Sequence, residues 1–107
     1  MKGKIRVLIA DDNTEFAMTL NGYLEREEDI EVVGMAKDGN EAYKLILEQK
    51  PDVVLLDVIM PHLDGLGVLE MLQTAALDKM PMCIMLSAVG QDKITQKAIN
   101  LGAEYYI

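Results

Sequence analysis

The chain has a single cysteine and too few basic residues to balance its acids, 10 Lys and Arg against 18 Asp and Glu in 107 residues. One cysteine excludes an internal disulfide. Cys83 lies inside an apolar run, which fits a small buried residue in a reducing compartment better than a reactive thiol. The net charge of -8 argues against this segment gripping nucleic acid, which needs clustered Lys and Arg. No apolar run approaches the roughly 18 residues of a membrane span. Met1-Lys2-Gly3-Lys4 leads straight into a short apolar stretch with no small-residue cleavage pattern, so a cytoplasmic location is expected, without secretion or a membrane partner. Internal repeats, low-complexity tracts and linker-like stretches are missing too, and the 107 residues read as one domain.

What is present alternates in period. Asp52-Val53-Val54-Leu55-Leu56-Asp57 sets four consecutive apolar residues behind Pro51 and ends them in a carboxylate, which reads as a short strand buried on both faces with a charge placed at its end. Ile5–Ala10 is a similar run, broken only by Arg6 and stopping at Asp11-Asp12-Asn13. From Thr14 the apolar residues Phe16, Leu20, Tyr23 and Leu24 follow helical spacing, with Asn13 or Thr14 as N-cap and Glu15 in the first turn, and the helix is expected to end near Glu28-Asp29. Ile30–Ala36 reads as a shorter, more polar strand suited to a sheet edge. Asp38-Gly39-Asn40 turns into a helix carrying Ala42, Leu45 and Ile46. After the Asp57 strand, Pro61, Asp64 and Gly65 mark a loop, and residues 66–72 form a helix with Leu66, Leu69 and Leu72 on its apolar face. Met82–Leu86 is a fourth apolar strand, followed by Ser87. Ile94, Ala98 and Leu101 stripe a fourth helix stopped by Gly102, and Tyr105-Tyr106-Ile107 reads as a fifth strand cut short.

Five strands alternating with four helices call for an α/β fold, a parallel sheet covered on both faces. Right-handed crossovers put every strand's carboxyl end on one edge, where such sheets bind ligands. Asp11, Asp12, Asp57 and Ser87 all belong to that edge. Crowded carboxylates repel one another, and a hard cation with oxygen ligands, Mg2+, relieves the repulsion. With a metal present a carboxylate can attack a phosphoryl group, and a hydroxyl such as that of Ser87 can hold the phosphoryl oxygens.

Each residue also has a simpler role open to it. Asp11 and Asp12 can be helix-capping acids, Asp57 a solvated strand end, and Ser87 a turn residue. Tyr106 can be an ordinary half-buried aromatic. His62 is expected as a solvated loop side chain, and the eight methionines as scattered core filler. The convergence of acids and hydroxyl at three strand ends favours the phosphate chemistry.

These residues resemble a known family. Asp11-Asp12, Asp57, Met60-Pro61 with Asp64-Gly65, Ser87-Ala88, and Gly102-Ala103 before Tyr106 match the receiver domain of two-component response regulators over the whole chain. The runs at 57–67 and 86–96 are most similar to the receivers of regulators that control endospore formation in Gram-positive bacteria. The resemblance implies a flavodoxin-like (βα)5 fold with strand order 2-1-3-4-5. It implies Asp57 as phosphoacceptor, and Mg2+ (with Ca2+ or Mn2+ able to substitute) held by Asp12, Asp57 and the carbonyl of Ile59, with Asp11 acting through water. Ser87 would hold a phosphoryl oxygen and Tyr106 would switch rotamer.

Partners are implied as well: a histidine kinase or histidine phosphotransferase as donor, a homodimer on activation, and DNA reached only through a separate C-terminal effector domain. The domain is then regulatory, not an enzyme, beyond assisting its own phosphorylation and dephosphorylation. In the family the last strand continues into a Lys-Pro pair and a fifth helix, neither of which occurs here, so residues 1–107 are expected to be an incomplete receiver. An uncovered sheet face could then drive edge-mediated or domain-swapped dimerisation. Two other classes stand beside this one: a receiver-like docking module that is never phosphorylated, and a phosphohydrolase with an aspartyl nucleophile. Haloacid-dehalogenase-like hydrolases need a second Asp two positions after the nucleophile, where this chain has Ile59.

Overall fold

Three Asx residues start the three described helices. Asn13 accepts a hydrogen bond from the Phe16 N–H (3.0 Å) and opens α1 (Thr14–Glu25). Asp38 accepts from the Glu41 N–H (2.8 Å) and opens α2 (Gly39–Gln49), while the Glu41 carboxylate reaches back to the Lys37 N–H (2.7 Å). Asp64 accepts from the Gly67 N–H (2.8 Å) and opens α3 (Gly65–Thr74). Each cap satisfies a main-chain donor that the helix itself leaves unpaired. The computed structural model describes residues 3–58, 60, 62–75 and 77–86, with the backbone of 105–106.

Between and after these helices run β1 (Ile5–Ala10), β2 (Ile30–Ala36), β3 (Val53–Asp57), β4 (Met82–Leu86) and β5 (Tyr105–Tyr106). They form one parallel sheet of order β2-β1-β3-β4-β5, the flavodoxin-like order expected. Helix α2 stops at Lys50, which takes a left-handed conformation (φ 48°). The following Pro51 disfavours a helical residue before it, so the stop is written in the sequence.

Register decides which side chains meet. Ala10 lies opposite Leu56 and Asp57 opposite Leu86. One face of the sheet, with Leu8, Ala10, Val54, Leu56, Cys83 and Met85, packs on Ala42 and Ile46 of α2 and Val68, Leu69 and Leu72 of α3. Burying side chains of that size contributes about 1.5–3 kcal/mol each relative to exposure, offset by lost chain entropy.

Several expectations need correction. Helix α1 ends at Glu25, not at 28–29, because the Arg26 and Glu27 N–H groups bond three residues back, to Tyr23 and Leu24, and a turn then leads to Ile30. Its packed stripe centres on the buried Ala17 with Leu20 and Leu24, leaving Phe16 and Tyr23 exposed. Strand β2 does occupy an edge, but with seven residues it is longer than β1 with six. In β3 only the face of Val54 and Leu56 is fully buried, and Val53 and Leu55 on the other face stay half-buried. Met18, Met35, Met80 and Met82 are exposed, so only some of the methionines fill the core. The helix expected around Ile94, Ala98 and Leu101 lies outside the described residues.

Candidate functional site

Strands β1 and β3 are neighbours, and both end in acid. Because Ala10 pairs with Leu56, the next residue of each strand, Asp11 and Asp57, stands level at the carboxyl edge. The Asp11 N–H donates to the Ala36 carbonyl (3.0 Å), prolonging the β1–β2 ladder by one residue. The Asp11 carboxylate accepts the Asn13 N–H (2.8 Å), which turns the chain out of the strand and leaves Asp12 pointing to solvent.

The result is a cluster graded in burial: Asp11 buried, Asp57 half-buried, Asp12 exposed, with one oxygen of each within 4.8 Å of the others. Neither Asp11 nor Asp12 caps a helix, since Asn13 holds that place in α1. The capping explanation therefore fails for both. Three carboxylate oxygens so close repel one another, and they form the hard, anionic, oxygen-only donor set that suits a Mg2+ retaining part of its water shell.

Of the other expected site residues, Ile59 and Ser87 lie outside the described residues, and Tyr106 is described only as backbone in β5, paired with Met85. His62 is exposed, with a positive φ of 68°, as suits a loop residue.

Two glycines matter more than the sequence reading allowed. Gly65 donates its N–H to the Val58 carbonyl (2.9 Å), closing the loop after β3. A Cβ on Gly65 would press on the Asp57 carbonyl oxygen and lie 2.9 Å from Met85 Cε. Gly39 is as crowded: a Cβ there would fall on the Leu63 carbonyl, 2.6 Å from its carbon. The signal was present as a repeated Asp-Gly pair, Asp38-Gly39 and Asp64-Gly65, each starting a helix beside the acidic edge.

A cavity of about 270 Å3 lies elsewhere, between the end of α2 and the segment preceding β4. Ile46, Leu47, Pro51, Leu77 and Pro81 line it, with Lys50, Asp78 and Lys79. Beside it, Lys79 Nζ pairs with Asp52 Oδ1 at 2.5 Å, and the Arg6 N–H donates to Asp52 Oδ2 at 2.9 Å. Lys79 first, and the Arg6 N–H after it, hold the Asp52 carboxyl below the ordinary carboxylate range. None of the three clustered acids lines this cavity, which sits at the amino edge of the sheet.

A parallel β2-β1-β3-β4-β5 sheet with acids at the ends of β1 and β3 defines an α/β domain whose carboxyl edge is anionic. The chain belongs to the response regulator receiver domain family, whose family model matches residues 7–107. Members of this family are regulatory phosphoacceptor domains of two-component systems, and they bind Mg2+ at an acidic pocket.

Solved structures agree. The response regulator domain of Thermotoga maritima CheB is 37% identical, with a TM-score of 0.88 over 97% of this chain and 77% of that one. The signal receiver domain of the putative response regulator NarL from Mycobacterium tuberculosis is 32% identical, with a TM-score of 0.90 over 98% and 83%. A chain of the CheX-CheY-BeF3-Mg2+ complex from Borrelia burgdorferi is 30% identical, with a TM-score of 0.84 over 96% and 76%.

Proposed function

We propose that Asp57 is the phosphoacceptor of this receiver and that Asp11, Asp12 and Asp57, with the carbonyl of Ile59, form its Mg2+ site. The observation that carries this is the meeting of three carboxylates within 4.8 Å at the ends of two adjacent strands. The Borrelia burgdorferi complex, which contains Mg2+ and BeF3, supports the choice of metal. When bound, Mg2+ offsets the repulsion between the acids and an incoming phosphoryl group. The half-buried Asp57 carboxylate then supplies the attacking oxygen. Its bond to phosphorus forms as the P–N bond of a phosphohistidine breaks, and the imidazole nitrogen keeps the electron pair.

The donor is a histidine kinase or a histidine phosphotransferase. Ser87 receives a phosphoryl oxygen and Tyr106 follows the change by its rotamer. In the complete protein, phosphorylation promotes homodimerisation and DNA binding through a separate C-terminal domain. The runs at 57–67 and 86–96 support a regulator of the stage 0 sporulation protein A type.

The chemical part is tested by incubating the full-length protein with Mg2+ and acetyl phosphate and measuring intact mass. One phosphate adduct, lost on chelation of the metal and in Asp57→Asn, is expected. A protein that binds Mg2+ but gains no adduct refutes the assignment. The sporulation part is tested separately, since undiminished spore formation after disruption of the gene sinks it.

A further inference from the structure

Both halves of the acidic cluster lean on the same short turn between β2 and α2. On one side the Ala36 carbonyl takes the Asp11 N–H at 3.0 Å. On the other, three residues further on, Gly39 lies beneath the main chain of Leu63, so closely that a Cβ would fall on its carbonyl and 2.7 Å from its Cβ. Ordinary packing cannot absorb such an overlap, because the atoms in the way are backbone and not the end of a flexible side chain. Leu63 is itself wedged: it packs against the core, and a Cβ on Gly67 would run into its Cγ and Cδ1. From Leu63 the chain passes through Asp64, the α3 cap, to Gly65, which bonds Val58 and touches the Asp57 carbonyl. A push at Leu63 is thus delivered within two residues to the backbone of Asp57.

We propose that residues 36–39 form the positioning element of the acidic site, holding Asp11 through the Ala36 carbonyl and, through the bare Cα of Gly39, seating the 63–65 loop that fixes Asp57. Gly39 has no side chain to offer a metal or a phosphate, and it lies against Leu63 rather than the carboxylates. It acts by setting the distance between the two strand-end carboxylates, a distance that decides how well three oxygens converge on one cation. The inference rests on the proposed Mg2+ site and deepens it.

The test is Mg2+ titration of the purified protein, followed by a spectroscopic or calorimetric signal, for wild type, Gly39→Ala and Gly22→Ala. Position 22 is the control, because nothing lies within 4 Å of a Cβ there. Gly39→Ala is expected to weaken Mg2+ binding by about tenfold or more, the usual effect of disturbing groups that orient metal ligands, while its far-UV circular dichroism stays that of wild type. Gly22→Ala should bind as wild type does. A folded Gly39→Ala protein with unchanged affinity overturns the inference while leaving the metal site standing. A wild type that binds no Mg2+ overturns the site itself. Should Gly39→Ala fail to fold, Gly67→Ala replaces it, since the atoms nearest its Cβ belong to the side chains of Leu63 and Asp64. Weakened binding restored by adding Leu63→Ala supports the wedge, and unchanged binding in Gly67→Ala refutes it.

Discussion

Replacing Asp12 by Asn should make the metal-free protein more stable while removing its response to Mg2+. Asp12 is exposed, and one of its oxygens lies within 4.8 Å of oxygens of both Asp11 and Asp57. Two unit charges at that distance repel by about 0.9 kcal/mol at the dielectric constant of water and by about 3.5 kcal/mol at an effective value of about 20. Because Asp12 faces solvent, the lower figure governs. The loss of two repulsive pairs should then stabilise the metal-free domain by about 1–2 kcal/mol, a rise in Tm on the order of 5–10 °C for a chain of this size.

With Mg2+ the balance reverses. Wild type should gain about 2.7 kcal/mol at a hundredfold excess over Kd, and Asp12→Asn only a small part of that. Urea or thermal unfolding in EDTA and in Mg2+, for both proteins, reads both effects. If Asp12→Asn is less stable than wild type in EDTA, or gains as much from Mg2+, the picture of uncompensated repulsion relieved by a cation is wrong.

Other substitutions have equally definite consequences. Asp52→Asn removes the charge that pairs with Lys79 and leaves the Arg6 N–H a neutral amide oxygen in place of a carboxylate, and should cost about 1 kcal/mol at neutral pH. Since folding lowers the Asp52 pKa from its ordinary 3.8, this contribution is fully present above that value and disappears as the pH falls through the lower folded value. The stability difference between wild type and Asp52→Asn in urea titrations should therefore shrink as the medium is acidified past that window. Leu69→Ala, at a position with 0% exposure, should cost about 3 kcal/mol in the same assay, with little change in Mg2+ affinity. Asp64→Ala removes the α3 cap and should cost about 1 kcal/mol.

Where chemistry is local, the sequence was legible. Short apolar runs located β1, β3 and β4 to the residue, and Asn13 was among the expected caps because Asx oxygens satisfy helix-start donors regardless of tertiary context. The convergence of Asp11, Asp12 and Asp57 followed from one topological rule about parallel sheets, whereas the strand order came from the family resemblance. Decisions made by packing were harder to read. Phe16 and Tyr23 fit a helical stripe as well as Ala17 does, and only the sheet determines which stripe is buried. The Asp52–Lys79 pair joins residues 27 apart in sequence, so spacing could not announce it. Gly39 and Gly65 carried only a turn signal, because closeness of another backbone leaves no mark on the residue that permits it.

The two edges of the sheet divide the work between stability and charge, and the first makes the second usable. At the amino edge, β1 and β3 are tied by the Arg6 N–H to Asp52 Oδ2 and by the Asp52 N–H to the Arg6 carbonyl (2.8 Å), with Lys79 closing the same carboxylate toward β4. Four residues along, that pairing sets Ala10 beside Leu56, and one more brings Asp11 level with Asp57. A slip of β3 by one residue would turn Val54 and Leu56 out of the core and carry the Asp57 side chain to the opposite face, because side chains alternate along a strand. The hydrophobic register therefore cannot be satisfied without also assembling the repulsive cluster. The domain tolerates that cluster because only Asp11 is deeply buried, it accepts the Asn13 N–H, and Asp12 remains in water. Placing the charge at the strand ends keeps it outside the packed layer, where its repulsion costs a kcal/mol or two and a cation can reverse the sign.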